Sequence, residues 1–215
     1  VGCTGTGGNL RLLPFIDTTS GLEKIDKSTE VAQAGYYSVK LMNGIKVEIT
    51  AGRTSAIYRF TYPKSKKAGL SLDLTSALAK FKGEKHEFIG KNAIHGWVQS
   101  TNTCDMGRYT FYYHIKIDKD EAEVTENNGR VYWNFSSGKN ETVIVKVGLS
   151  TVSQQQAKLN QTIEIGEKTF AQVREAATQS WEEALSAIRI ESPDSELKKS
   201  FYTRMYHACQ TPFNI

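Results

Sequence analysis

Apolar and polar positions alternate most plainly between Gly35 and Pro63. Tyr37, Val39 and Leu41 alternate with Ser38 and Lys40, and Ile45, Val47 and Ile49 alternate with Lys46, Glu48 and Thr50. A period of two predicts strands, each with one apolar row. Asn43-Gly44 lies between them and suits the two positive-φ positions of a type I′ turn, so the pair reads as a hairpin. A third strand follows, with Ala56, Tyr58, Phe60 and Tyr62 on one face and Ile57, Arg59 and Thr61 on the other. Pro63 lacks an N–H and ends the ladder. Three antiparallel strands with one apolar face require a second layer to cover it.

The same alternation recurs downstream. Leu70 to Leu74 reads as a strand, and Phe81 to Ile94 as two short strands with turn signals at Lys82-Gly83 and Gly90. His95 to Val98 leads into a polar loop from Gln99 to Gly107 that holds Cys104 and Asp105. Tyr109 to Ile117 is strongly β-prone. Ala122 to Thr125 and Val131 to Phe135 flank Asn128-Gly129, a second hairpin signal, and Thr142 to Ser150 reads as a central strand buried on both faces. At the start, a glycine-rich loop precedes a short strand from Leu10 to Phe15, and residues 17 to 34 read as a polar linker. About nine to eleven strands joined by short turns predict two packed antiparallel sheets.

From Glu167 the period changes. Phe170, Val173, Ala177, Trp181, Leu185 and Ile188 recur at spacings of three and four, the stripe of an amphipathic helix. Ser192-Pro193 stops that helix and starts another, with Ser192 as cap, Pro193 in the first turn and Asp194 and Glu196 near the positive end. Leu197, Phe201 and Met205 or Tyr206 give the second helix its buried face.

Composition changes this picture little. The chain of 215 residues is 39% hydrophobic and carries 27 basic against 23 acidic residues, a net charge of +4. The lysines are scattered, which argues against nucleic acid as a partner. No apolar run approaches the roughly 18 residues of a membrane span. The odd cysteines Cys3, Cys104 and Cys209 are widely spaced, leave room for one bridge at most, and show no metal-ligand spacing. The sequons at Asn134, Asn140 and Asn160 carry little weight in a chain rich in Asn, Ser and Thr. Val1 and the unsupported glycines after it read as the start of a fragment, whose signal peptide would lie upstream.

Candidate chemistry is sparse. Gly5-Thr6-Gly7-Gly8 neither follows a strand nor opens a helix, so it does not read as a phosphate loop. His86, His95, His114 and His207 form no i, i+4 pair, and no Gly-x-Ser-x-Gly elbow occurs. Cys104 with His95 offers a thiol and a base, but no third group orients them, and a small buried thiol is the simpler reading. Asp73, Asp105 and Asp118 are candidate acid and base, or else solvated strand ends. Trp97 and the Tyr109 to Tyr113 cluster offer rings for stacking on a sugar, or else sandwich core. Periodicity and composition by themselves give a β-sandwich with a helical tail.

The order of three segments adds a resemblance. These are Glu30 with Ala34-Gly35-Tyr36-Tyr37-Ser38-Val39, then Asn43 to Ala51, then Tyr58-Arg59-Phe60-Thr61-Tyr62-Pro63. With Val145 to Ser150, Val152-Ser153, Ala157, Trp181, Leu185 and Phe201 to His207 before Pro212 and Asn214, the chain resembles the N-terminal part of glycoside hydrolase family 92, bacterial exo-acting α-mannosidases. It departs from the family at Ala34, Tyr58 and Phe213, and it begins where a family segment is already under way.

The resemblance implies a mainly β fold, a supersandwich-like two-layer antiparallel β-sandwich, over residues 1–165 without its first strands. A linker helix over 166–192 and the first helix of an (α/α)6 barrel, in a truncated catalytic domain over 193–215, would follow. It implies an inverting, calcium-dependent α-mannosidase whose carboxylates and calcium ligands lie beyond Ile215, so no catalytic or metal residue is carried onto this chain. The expected partners are mannose-containing glycans and the protein's own catalytic domain, and the expected location is periplasmic or secreted. The Trp97 to Cys104 loop and the Cys3 to Gly8 loop are the expected substrate contacts, with Trp97 and Cys104 as the named residues. A carbohydrate-binding module standing alone and a purely structural assembly domain are the alternatives.

Overall fold

Twelve strands among the described residues fold into two antiparallel sheets, as the alternation predicts. The computed structural model describes residues 5–17 and 23–209. The strands are β1 (Arg11–Ile16), β2 (Ile25–Gln33), β3 (Tyr36–Leu41), β4 (Lys46–Ala51), β5 (Ser55–Tyr62) and β6 (Ser65–Asp73). They continue as β7 (Phe81–Ile89), β8 (Ala93–Thr101), β9 (Arg108–Ile117), β10 (Glu123–Asn127), β11 (Arg130–Ser137) and β12 (Glu141–Ser150). Four strands form one sheet in the order β1-β6-β11-β10, and eight form the other in the order β2-β3-β4-β5-β12-β9-β8-β7. Three helices follow: α1 (Gln154–Glu164), α2 (Phe170–Leu185) and α3 (Ser195–Cys209).

The core lies between the sheets, where Phe60, Tyr62, Leu70, Leu72, Ile94, Tyr113, Ile115, Trp133 and Val145 are almost wholly buried. Trp133 satisfies its indole N–H by donating to the Lys91 carbonyl at 3.1 Å. β12 sits between β5 and β9 and is the central strand the sequence predicts. A second, smaller core of Tyr36, Ile57, Ile165, Phe170 and Val173 lies on the opposite face of the eight-stranded sheet, under α2.

Several expectations change. The residues read as a polar linker include β2, an edge strand paired with β3, whose half-solvated residues show no apolar row. The Lys82-Gly83 signal is a register shift inside the single strand β7, and β8 runs on to Thr101 before the loop begins. Asn128 and Gly129 both have positive φ, 49° and 71°, and close a two-residue hairpin. At the first hairpin only Gly44 does, at 88°, and its N–H donates to the Leu41 carbonyl at 2.9 Å, making a three-residue connection.

The helical part differs too. Residues between β12 and Glu167, which carry no apolar stripe, form α1. α2 ends at Leu185, leaving Ile188 exposed. Asp194 rather than Ser192 caps α3, accepting from the N–H groups of Glu196 and Leu197 at 2.9 and 3.1 Å. Phe201, Met205 and Tyr206 are half-buried on α3 while Leu197 is exposed.

Candidate functional site

At one end of the sandwich the segment from Gly5 to Leu10, the turn after β6 and the loop between β8 and β9 are bound into one cluster. Asn9 is its hub: its amide donates to the Ser76 carbonyl at 3.1 Å and to Ser100 Oγ at 2.9 Å, and its Oδ1 accepts from the Tyr109 hydroxyl at 2.6 Å. Tyr109 in turn accepts from the Gly7 N–H at 3.1 Å, and Thr6 bonds Thr103 at 3.0 Å. Leu78 N–H donates to the Gly7 carbonyl, and Ser76 Oγ donates to that of Gly8. The two loops singled out from the sequence are thus neighbours, although Cys3 lies outside the described residues.

The β8–β9 loop is a held, strained structure. Cys104 and Asp105 both adopt left-handed backbone, with φ of 61° and 57°. Conformations of this kind cost about 1–3 kcal/mol each and persist where surrounding bonds over-determine them. Here Asp105 accepts from Thr101 Oγ1 at 2.5 Å and pairs with Lys80, and those bonds hold its carboxyl below its ordinary pKa. Asn102 N–H closes the loop onto the Gly107 carbonyl at 3.0 Å. Leu78 and Met106 are exposed apolar side chains flanking this end.

The structure replaces the thiol reading of Cys104. The residue is exposed and disulfide-bonded, so it is neither a buried thiol nor a nucleophile, whereas Cys209 is free. His95 lies on the outer face of β8, 3.5 Å from Glu87 and edge-on to the ring of His114. Trp97 occupies that same face and not the loop, between Lys85 on β7 and Tyr112 on β9. The three aspartates do not converge: Asp73 is clasped by Arg11 at 2.6 Å and Arg130 at 3.1 Å, Asp105 by Lys80, and Asp118 accepts from the Ile144 N–H at 2.8 Å. Sequence reasoning missed Asn9 as the hub, because an asparagine beside glycines signals only a turn.

Among the described residues no group of three or more His, Cys, Asp or Glu side chains is placed to hold a metal ion. No helix among them is long and apolar enough to cross a membrane. A separate groove of about 870 Å³, mostly apolar, lies between the β4–β5 turn, α2 and α3. Val173, Ala177, Trp181, Ala184 and Tyr206 line it, and the rings of Trp181 and Tyr206 meet at 4.7 Å.

The fold recurs in solved proteins. A family GH92 α-mannosidase from Bacteroides thetaiotaomicron superposes with a TM-score of 0.85 at 23% identity, over 97% of this chain and 33% of its own. A family GH92 inverting mannosidase from Bacteroides thetaiotaomicron VPI-5482 superposes with a TM-score of 0.76 at 18% identity, over 92% and 29%. An uncharacterized secreted glycosidase from Arthroderma benhamiae is 24% identical over 97% of this chain and 34% of its own length. The chain therefore spans about a third of the length of these relatives. Residues 1–150 match the glycosyl hydrolase family 92 N-terminal domain and residues 156–215 match the family 92 catalytic domain. With both matches in sequence order on a sandwich of the same fold, the chain belongs to glycosyl hydrolase family 92.

Proposed function

We propose that the protein to which this chain belongs is an α-mannosidase that removes terminal α-linked mannose from glycans. Family membership supports the glycosidase chemistry, and the two mannosidases that share the fold support the sugar. In this reading the enzyme inverts at the anomeric carbon. One carboxylic acid protonates the leaving oxygen, and a carboxylate roughly 6.5 to 9.5 Å away activates water. Both carboxylates, and the calcium that assists them, belong to the remainder of the catalytic domain. Among the described residues no cluster is placed to hold that metal. The relative described as secreted supports export, to the periplasm or beyond the cell.

The sandwich acts as a brace. The apolar groove along α2 and α3 fits an interdomain seam better than a ligand pocket, with α3 as the first helix of the barrel. The observation that carries the sandwich's part in recognition is that Thr6, beside the Asn9–Tyr109 cluster, bonds Thr103 in the strained Cys104 loop at one end of the sheets. We assign Cys104 and its neighbours to the rim of the sugar pocket. The test compares this chain with the full-length protein on mannobiose, with and without a calcium chelator. Release of mannose by the full-length protein alone, abolished by the chelator, is expected. Hydrolysis by the 215-residue chain, or none by either, overturns the proposal.

A further inference from the structure

The outer face of the eight-stranded sheet changes character along its width. Over β3, β4 and β5 it meets α2 through Tyr36 and Ile57, beside a buried Glu48 whose carboxylate is already bonded by Arg59 and Tyr36, and over β12 and part of β9 it receives α1. Towards β7 the rungs are different. Trp97 stands with Lys85 and Tyr112 as direct cross-strand partners, and both aromatic residues are partly exposed. On one side is the rung Gly83, Gln99 and Thr110, where the Gln99 amide donates to Thr110 Oγ1 at 3.1 Å. On the other, Glu87 and His95 pair across the strands.

Gly83 sets the posture of the indole. A Cβ built there would lie 3.7 Å from Cζ3 and Cη2 of Trp97, so the six-membered edge of the indole reaches across to β7 beside the bare backbone of Gly83. A partly exposed indole reaching across two strands offers apolar ring surface to solvent, the kind of surface that a pyranose C–H face fits.

The surroundings decide between occupants. Under α2 the buried Glu48 is satisfied within the sheet by Arg59 and Tyr36, whereas a helix docking here would strip water from the exposed Lys85 and Glu87 without replacing it, an unfavourable exchange. A sugar covers the ring with carbon and meets the same side chains with hydroxyls. Lys85 and Glu87 offset each other in charge, which suits a neutral chain over a phosphorylated or acidic one. We propose that Trp97, Tyr112 and the flanking Lys85, Gln99 and Thr110 form a platform for a neutral pyranose oligosaccharide, separate from the Asn9–Tyr109 cluster. The preceding reading enters only in the choice of mannose as the sugar.

The experiment is titration of the 215-residue chain with mannotetraose and, separately, with cellotetraose, followed by the indole N–H signals of its three tryptophans. The Trp97 signal is expected to shift with mannotetraose while that of the fully buried Trp133 stays in place. By calorimetry Trp97→Ala is expected to weaken binding about tenfold or more, and Trp97→Phe much less, because a ring is retained. Response to cellotetraose alone keeps the platform and counts against mannose as the sugar. Failure of both sugars to move the Trp97 signal at millimolar concentration overturns the platform, whether or not the full-length protein hydrolyses mannobiose. Undiminished affinity in Trp97→Ala overturns it equally. Should that variant fail to fold, the signals of the unaltered chain decide.

Discussion

Helices α1 and α2 lie on the same face of the same sheet and are held there by different chemistry. α2 buries Phe170, Val173 and Ala177 against Tyr36, Ile57 and Ile165. Its start is fixed by a capping box between Thr169 and Gln172, and Arg174 and Arg59 lie over the rings of Tyr36 and Phe170 at 3.6 and 4.4 Å. α1 buries only Ala157 and Gln161, while its own Leu159 and Ile163 face solvent. It is pinned by polar contacts: the Gln161 amide donates to the carbonyls of Lys146 and His114, and Asn160 to that of Leu149. Glu164 accepts from Thr54 and Ser55 hydroxyls at 2.6 and 2.5 Å. One helix is placed by area removed from water and the other by close approach and hydrogen bonds, so the two respond to different perturbations.

The largest expected effect tests the apolar contact. Phe170→Ala removes a buried ring and the edge-on packing against Tyr36, and is expected to cost about 3 kcal/mol of unfolding free energy in a denaturant titration. Amide exchange should quicken in α2 and leave α1 close to unchanged. Equal loss of protection in both helices would show that they dock as one unit.

A smaller effect tests the close approach. A Cβ at Gly148 would lie 2.2 Å from the Ala157 carbonyl oxygen and 2.7 Å from Gln161 Cβ, so Gly148→Ala must lift α1 from β12. Overpacking of this kind costs about 2 kcal/mol. The expected exchange pattern is the reverse of the first, with α1 losing protection and α2 keeping it.

The smallest effect is that of acid, and it separates the helices by pH range. Under α1, burial first and then Lys158, His95 and Lys116 hold the His114 imidazole down at about 4. The unfolded chain therefore binds a proton there that the folded one refuses, and stability at this site falls as pH drops from about 6.5 towards 4. Under α2, burial would raise the Glu48 carboxyl, but Arg59, Tyr36 and Lys46 outweigh it and hold it at about 2. Its contribution is complete above about 4.5 and is lost towards pH 2. Exchange followed against pH should show α1 loosening before α2. His114→Phe is expected to remove the earlier step and Glu48→Gln the later one. Loosening in the opposite order would break the distinction.

Legibility followed the same divide. The strands were readable because alternation reports a surface with one wet face, and α2 because Phe170, Val173 and Ala177 mark a stripe. α1 was not, since its anchoring residues are an alanine and a glutamine while its leucine and isoleucine point outward. β2 escaped because an edge strand with few buried residues has no apolar row. At the site, the β8–β9 loop could be delimited to within a few residues. The bond from Tyr109, just beyond it in β9, to Asn9 across 100 residues of sequence could not, because a side-chain amide and a tyrosine hydroxyl give no periodic signal.

By itself the sequence determined most of the strands, β2 excepted, and which face of most of them is apolar, since the price of exposing Phe60 or Val145 to water is set locally by the period of the backbone. Tertiary structure alone decided that Ser38, Glu48 and Thr50 in the polar row of β3 and β4 are buried as well, with Glu48 3% exposed beneath α2. It also decided that Cys104 and Trp97, seven positions apart, serve different faces. Those outcomes depend on partners from distant parts of the chain, whose hydrogen bonds and charges offset the desolvation of groups that local pattern assigns to solvent.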